Sequence, residues 1–154
     1  MPKLALRTVL ALAVAGVLAG CQPTHQAPMP TPSPTGAPAA DGPLASTLQV
    51  AARGDSVHLS FQVTNAGTSP VALTFPSGQY ADFTVSDGTR ELWRWGADMM
   101  FTQAVRNVSL APGETRAYEA VWARPSGIQG QLTARAWLTA QQVRAERSAR
   151  FTLP

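Results

Sequence analysis

From residue 57 onward the chain alternates. Val57, Leu59, Phe61 and Val63 are separated by His58, Ser60, Gln62 and Thr64, a period of two that gives a strand one apolar face and one wet face. Asn65-Ala66-Gly67 predicts a turn, and Val71, Leu73 and Phe75 a second strand closed by Pro76-Ser77-Gly78. Phe83 and Val85 resume the alternation, and Asp87-Gly88 predicts a hairpin whose returning strand runs from Arg90 to Trp95. Ala111-Pro112-Gly113-Glu114 is a further turn, after which Tyr118, Ala120 and Trp122 share a face. Leu132, Ala134, Ala136 and Leu138 alternate with Thr133, Arg135, Trp137 and Thr139. Val143 to Leu153 fits either a short amphipathic helix or a strand. The spacing of Arg144, Glu146, Ser148 and Arg150 favours a strand, although Arg147 falls on its apolar side. Seven or eight short strands in about 100 residues predict an all-β domain, an immunoglobulin-like antiparallel β-sandwich.

The N-terminus follows another pattern. Lys3 and Arg7 precede an uncharged apolar run from Val9 to Leu18, the basic start and short hydrophobic stretch of a secretory signal. The run falls short of the roughly 20 apolar residues a membrane span needs. Leu18-Ala19-Gly20-Cys21 then has the form of a bacterial lipobox, and Cys21 is the only cysteine in the chain. Residues 1–20 are thus expected to be a lipoprotein signal peptide. Cys21 is expected to be the lipidated N-terminus, carrying acyl chains such as palmitate, rather than an ordinary small apolar residue. At about 0.8 kcal/mol per buried CH₂, two or more chains anchor a protein stably where one does not. Gln22 follows the cysteine, so no acidic retention signal stands there. The expected location is the cell envelope, on an outer membrane or on the outer face of the cytoplasmic membrane.

Residues 22–46 hold seven of the thirteen prolines and no aromatic residue. Such a segment cannot bury enough apolar surface to offset its ordering entropy. Residues 21–46 are therefore expected to be a disordered tether with a reach of about 75 Å at most, from roughly 3 Å per residue. All eleven aromatic residues lie at or after Phe61, which places the folded domain at 47–154. With its only cysteine given to lipid, that domain has no disulfide and no cysteine-based zinc site. Loss of the signal removes Lys3 and Arg7, leaving ten arginines against nine acids. So even a balance gives no electrostatic case for nucleic acid.

Candidate catalytic groups do not converge. Asp82 could pair with Glu91, Asp98 or Glu114 as an acid–base couple, but paired catalytic carboxylates need a cleft that a small sandwich rarely offers. Asp82 stands between a loop and a strand, where a carboxylate commonly satisfies backbone N–H groups. Asp55, Ser56 and His58 lie too close on one strand to align as a triad. Trp93 and Trp95 fall on one strand face, either as an exposed aromatic platform or, more in keeping with large aromatics, with at least one indole in the core. No metal and no cofactor is implied, and the chain does not read as an enzyme.

Three stretches carry a family resemblance. The first is Val63-Thr64-Asn65, then Pro70-Val71 and Leu73-Thr74-Phe75-Pro76-Ser77-Gly78-Gln79, running into Tyr80-Ala81-Asp82-Phe83. The second is Leu92-Trp93-Arg94-Trp95 with Phe101-Thr102-Gln103-Ala104, and the third is Leu110-Ala111-Pro112-Gly113-Glu114-Thr115 with Trp122. Together, over about residues 47–140, they resemble the BsuPI-type intracellular proteinase-inhibitor family. Gly96 stands where that family commonly has serine, and Gly130-Gln131-Leu132 replaces an aromatic pattern. The resemblance implies a small β-sandwich and inhibition of proteases, here in an exported rather than an intracellular chain. It supplies no reactive-site residue.

The densest run of family-like residues places a contact surface on the loops Pro76–Tyr80 and Gly96–Phe101, with Gln79, Tyr80, Asp98, Met99 and Met100 as partner-binding candidates. The two methionines suit either a partner or the end of the core. The function expected first is a membrane-anchored proteinase inhibitor or modulator that occludes an active site non-covalently with its loops. The alternative is an immunoglobulin-like interaction module of the envelope without inhibitory activity. The N-terminal reading has its own test: mass spectrometry of the mature protein should find Cys21 first and lipid-modified, and Cys21→Ser should free the protein from membranes or block its processing. A soluble, unmodified chain beginning at Met1 would contradict it.

Overall fold

The computed structural model describes residues 39–124 and 126–154. The signal, the lipobox and most of the tether lie outside the described residues. Within them the chain forms ten strands: β1 (Ala39–Asp41), β2 (Leu44–Arg53), β3 (Ser56–Asn65), β4 (Val71–Phe75), β5 (Ala81–Asp87), β6 (Arg90–Arg94), β7 (Arg106–Leu110), β8 (Thr115–Ala123), β9 (Gly130–Leu138) and β10 (Glu146–Leu153). A single turn of 3-10 helix, Trp95–Asp98, follows β6. One sheet has the order β1-β2-β3-β8, a second the order β10-β9-β5-β6, and β4 pairs with β7 alone. Every pairing is antiparallel. This is an all-β sandwich, and the last segment is a strand.

The alternation becomes the core. Val57, Leu59, Phe61 and Val63 of β3 are buried beside Leu44, Leu48 and Val50 of β2. Facing them are Phe83 and Val85 of β5, the row from Leu132 to Leu138 on β9, and Phe151 and Leu153 of β10. Phe61 meets Phe83 edge-on at 6.5 Å between centroids, which joins the two sheets directly. Leu73, Phe75 and Leu110 extend the same core under the β4–β7 pair.

One boundary moves. Residues 44–46, expected to close the tether, belong to β2, and Leu44 and Ser46 are buried. The reason is the inward row Leu44, Ser46, Leu48, Val50, which pairs along β3 up to the match of Leu44 with Asn65. β1 adds a short strand ahead of it, so ordered pairing reaches into the proline-rich stretch. Arg147 does sit on the inward side of β10. Its Nε donates to the Ser46 carbonyl at 3.0 Å, and its Nη2 and the Ser46 hydroxyl are buried without hydrogen-bond partners.

Asn65, read from the sequence as a turn residue, is fully buried and fully used. Its amide nitrogen donates to the carbonyls of Ser69 and Leu110, both at 2.9 Å, and its Oδ1 accepts from Gly67 N at 3.0 Å. Its main chain meets Glu114 O and Gly113 N, so this one residue ties the end of β3 to the β7–β8 turn. Buried polar groups are tolerated when satisfied in this way.

Since aromatic truncation in a core typically costs about 3–5 kcal/mol, Phe83→Ala should lower the unfolding midpoint by a large fraction of a small domain's stability. Chemical denaturation followed by tryptophan fluorescence measures it. A change below about 1 kcal/mol, the range of surface substitutions, would mean that Phe83 is not central to the core.

Candidate functional site

The end of the sandwich that carries the expected contact loops is built around the first half of β5. Every residue from Ala81 to Val85 is buried, the outward-facing Asp82 and Thr84 included. Asp82 is only 6% exposed. Its Oδ1 accepts from Phe83 N and from Gly96 N, each at 2.9 Å, and its Oδ2 lies 3.4 Å from Arg94 Nη1. Asp82 is therefore a structural anchor that satisfies backbone N–H groups. The neighbouring outer face is a ladder: the Arg94 and Arg135 guanidinium carbons stand 5.4 and 5.2 Å from the Trp137 ring centroid. Hydrogen bonds from Arg94 hold the Glu91 carboxyl below the usual carboxylate range, and Arg135 does the same for Glu146.

The bond from Gly96 N to Asp82 explains a departure from the sequence expectation. β6 stops at Arg94, and Trp95 opens the 3-10 turn instead of continuing the strand. Trp93 and Trp95 thus do not share a strand face. Trp93 stacks on Trp122 at 6.3 Å, whereas Trp95 meets Phe83 at 6.1 Å and Phe101 at 5.5 Å. Both indoles are half-buried against the core.

The two loops are locked together at their glycines. A Cβ on Gly96 would lie 2.5 Å from Gln79 Nε2 and 2.9 Å from Asp82 Oδ1. One on Gly78 would lie 2.6 Å from Thr102 Oγ1, and Gly78 N donates to Thr102 O at 2.9 Å. The Gln79 amide and the Thr102 hydroxyl can swing aside, but Asp82 is held by its hydrogen bonds, so a side chain at Gly96 would strain that contact. Behind the first loop, Tyr80 packs edge-on against Phe75 at 4.9 Å, and Thr139 donates its N–H to Tyr80 O and its hydroxyl to Gln79 O.

The candidate contact residues accordingly separate into two groups. Gln79 and Tyr80 are half-buried and support the loops from within. Asp98, Met99 and Met100 are exposed, Met99 by 46% and Met100 by 100%. Met99 has extended backbone, φ −112° and ψ 145°. The methionines therefore do not plug the core. The exposed stretch runs on to Val105, 64% accessible, which no periodic pattern singled out. Thr102 and Phe101, the anchors of the stretch, were visible only as part of a family-like motif.

A hollow of about 230 Å³ lies on the outer face of the first sheet among Gln49, His58, Ser60, Glu119 and Val121. The Ser56 hydroxyl donates to Arg53 O at 3.1 Å and lies 3.2 Å from His58 Nε2. Among the described residues no carboxylate is hydrogen-bonded to His58, so this pair lacks the orienting acid of a triad.

The family described as "BsuPI: Intracellular proteinase inhibitor" matches residues 44–143. No curated protein sequence matches the chain. Among solved structures, the sporulation control protein Spo0M from Bacillus subtilis is 13% identical with a TM-score of 0.43, over 73% of this chain and 49% of Spo0M. The chain thus spans about half of Spo0M's length. The β-glucosidase EmGH1 from Erythrobacter marinus is 17% identical with a TM-score of 0.36, over 65% of this chain and 13% of the enzyme. The GAE domain of GGA2p from Saccharomyces cerevisiae is 15% identical with a TM-score of 0.27, over 76% of this chain and 96% of that domain.

The glycine contacts give a local prediction. Gly96→Ala should cost about 1–3 kcal/mol through overpacking and should speed hydrogen exchange at residues 95–102 more than in β3 or β9. Unchanged exchange in that segment would show that the Asp82–Gly96 contact does not hold the loop.

Proposed function

The chain belongs to the BsuPI family of intracellular proteinase inhibitors, and from that membership we propose that it inhibits a proteinase at the cell envelope by pressing a rigid loop into the active-site cleft. The family's described role is inhibition rather than catalysis, so the partner supplies the reactive groups and this chain supplies shape. The observation that carries the loop assignment is the contrast at residues 95–102. Met100 is fully exposed, while the Trp95 and Phe101 rings meet at a tilt, 5.5 Å between centroids, and Thr102 is bonded to Gly78. A protruding segment with fixed flanks has little conformational entropy left to lose on binding, which favours affinity. Non-covalent occlusion needs no cofactor and no nucleophile.

Location follows from the N-terminal reading. Acylation at Cys21 would hold the protein at a membrane surface, and the tether would set the inhibitory end within a bounded distance of the bilayer. The target in this reading is a proteinase exposed in the envelope.

The full-length acylated protein in detergent micelles should inhibit at least one endoproteinase in a panel of serine, cysteine, aspartic and metallo enzymes assayed on small peptide substrates. Activity should return on dilution, with no covalent adduct on a denaturing gel. Failure across the panel, together with a captured envelope partner whose activity is unchanged, would replace inhibition with the interaction-module reading.

A further inference from the structure

We infer that Met100 is the residue this protein inserts into the primary specificity pocket of its target, and that the pocket is deep, uncharged and apolar. This rests on the inhibitory reading above and adds to it the specificity residue and the class of cleft.

Four large apolar side chains are exposed among the described residues: Met99, Met100, Val105 and Val121. Val121 lies on the outer face of β8, an edge strand of the first sheet, where it lines the hollow instead of standing out on a loop. Val105 is 64% exposed and adjoins the start of β7, whereas Met100 is the one wholly free of protein contact. The residue before it has the extended backbone that a proteinase cleft accepts. A cleft binds extended backbone much as a sheet edge accepts a strand, and it reads alternate side chains in pockets. Met99 is extended, and accessibility rises from 46% at Met99 to 100% at Met100, then falls at Phe101, whose ring turns back onto Trp95. Met100 is therefore the most exposed point of the stretch, between a partly covered Met99 and a Phe101 directed toward the body of the protein.

Both ends of this projection are tied down. Upstream, Gly96 N is bonded to the buried Asp82, and downstream, Thr102 O accepts from Gly78 N. The segment can be held in a cleft without wrapping around it. The side chain then selects the pocket. Methionine is long, unbranched and apolar, so it fills a deep hydrophobic slot. It leaves an acidic group at a pocket base desolvated and unpaired, and it exceeds a pocket shaped for a small residue. These three pocket types correspond to chymotrypsin, trypsin and elastase.

The test uses the full acylated chain in detergent micelles against those three enzymes, with Met100→Gly, Met100→Arg and Met99→Arg variants. Because the Met100 side chain is wholly accessible, both Met100 variants should unfold at the wild-type midpoint, and Met99→Arg, at an exposed position, close to it. The wild-type protein should inhibit chymotrypsin and spare trypsin and elastase. Met100→Gly should weaken that inhibition by about 100-fold, the scale of a lost apolar pocket contact. Met100→Arg should lose chymotrypsin and acquire trypsin, and Met99→Arg should keep the wild-type preference. If chymotrypsin, or any enzyme of the wider panel, is inhibited equally by wild type, Met100→Gly and Met100→Arg, the Met100 assignment falls and the inhibitory reading stands. If neither these three enzymes nor the panel is inhibited, both fall.

Discussion

Phe83 meets the ring of Phe61 in the opposite sheet and the indole of Trp95 at the loop, both edge-on. The line continues from Phe61 to Tyr118 on β8 and from Trp95 to Phe101 in the exposed segment. Five aromatic residues thus run from one sheet, through the middle of the core, to the anchor of the exposed stretch after Trp95. The only cysteine is Cys21, and among the described residues no disulfide shares this task. Packing around Phe83 therefore sets both the closure of the sandwich and the position of the loop.

The polar counterpart lies on the opposite face of the same strand. Asp82 is buried where an outward strand residue would ordinarily meet water, and it is stabilised there by two backbone N–H groups and Arg94. A buried carboxylate is tolerated only when paired and hydrogen-bonded, so the chain after β6 must return to it. That requirement ends the strand at Arg94 and turns Trp95 toward the core. It also brings Gly96 so near that a side chain there would collide with Gln79 and Asp82. The close packing at the base of the loop is then a consequence of how β5 is covered on both faces.

Much of this architecture was legible in the chain. The period-two rows of β3, β4, β5, β8 and β9 fell where the alternation put them, and the strand reading of β10 held despite Arg147, whose guanidinium reaches Ser46 O. β2 was not legible at its start, because Ser46 interrupts the apolar row and the composition around Pro43 looks like linker. β7 shows only Val108 and Leu110 turned toward the core in five residues, too short a pattern to register. At the site, the sequence grouped Gln79 and Tyr80 with the two methionines. What separates them is Thr139, sixty residues away from Gln79, which returns across the sheet to hold the first loop from behind. The exposure of Met99 and Met100 likewise depends on a turn set by Asp82, twelve residues before Arg94. Local pattern carries no record of either contact.

The proposed function comes down to one expectation, that the end of the sandwich bearing residues 96–102 is the surface that meets a proteinase. Hydrogen exchange of the full-length protein, free and bound to an enzyme it inhibits, measures this most directly. Protection should concentrate at residues 96–102, with a smaller effect at 76–80 and none on the outer face of β8. Protection centred instead on the hollow around His58 and Glu119, with the 96–102 segment unchanged, would contradict it.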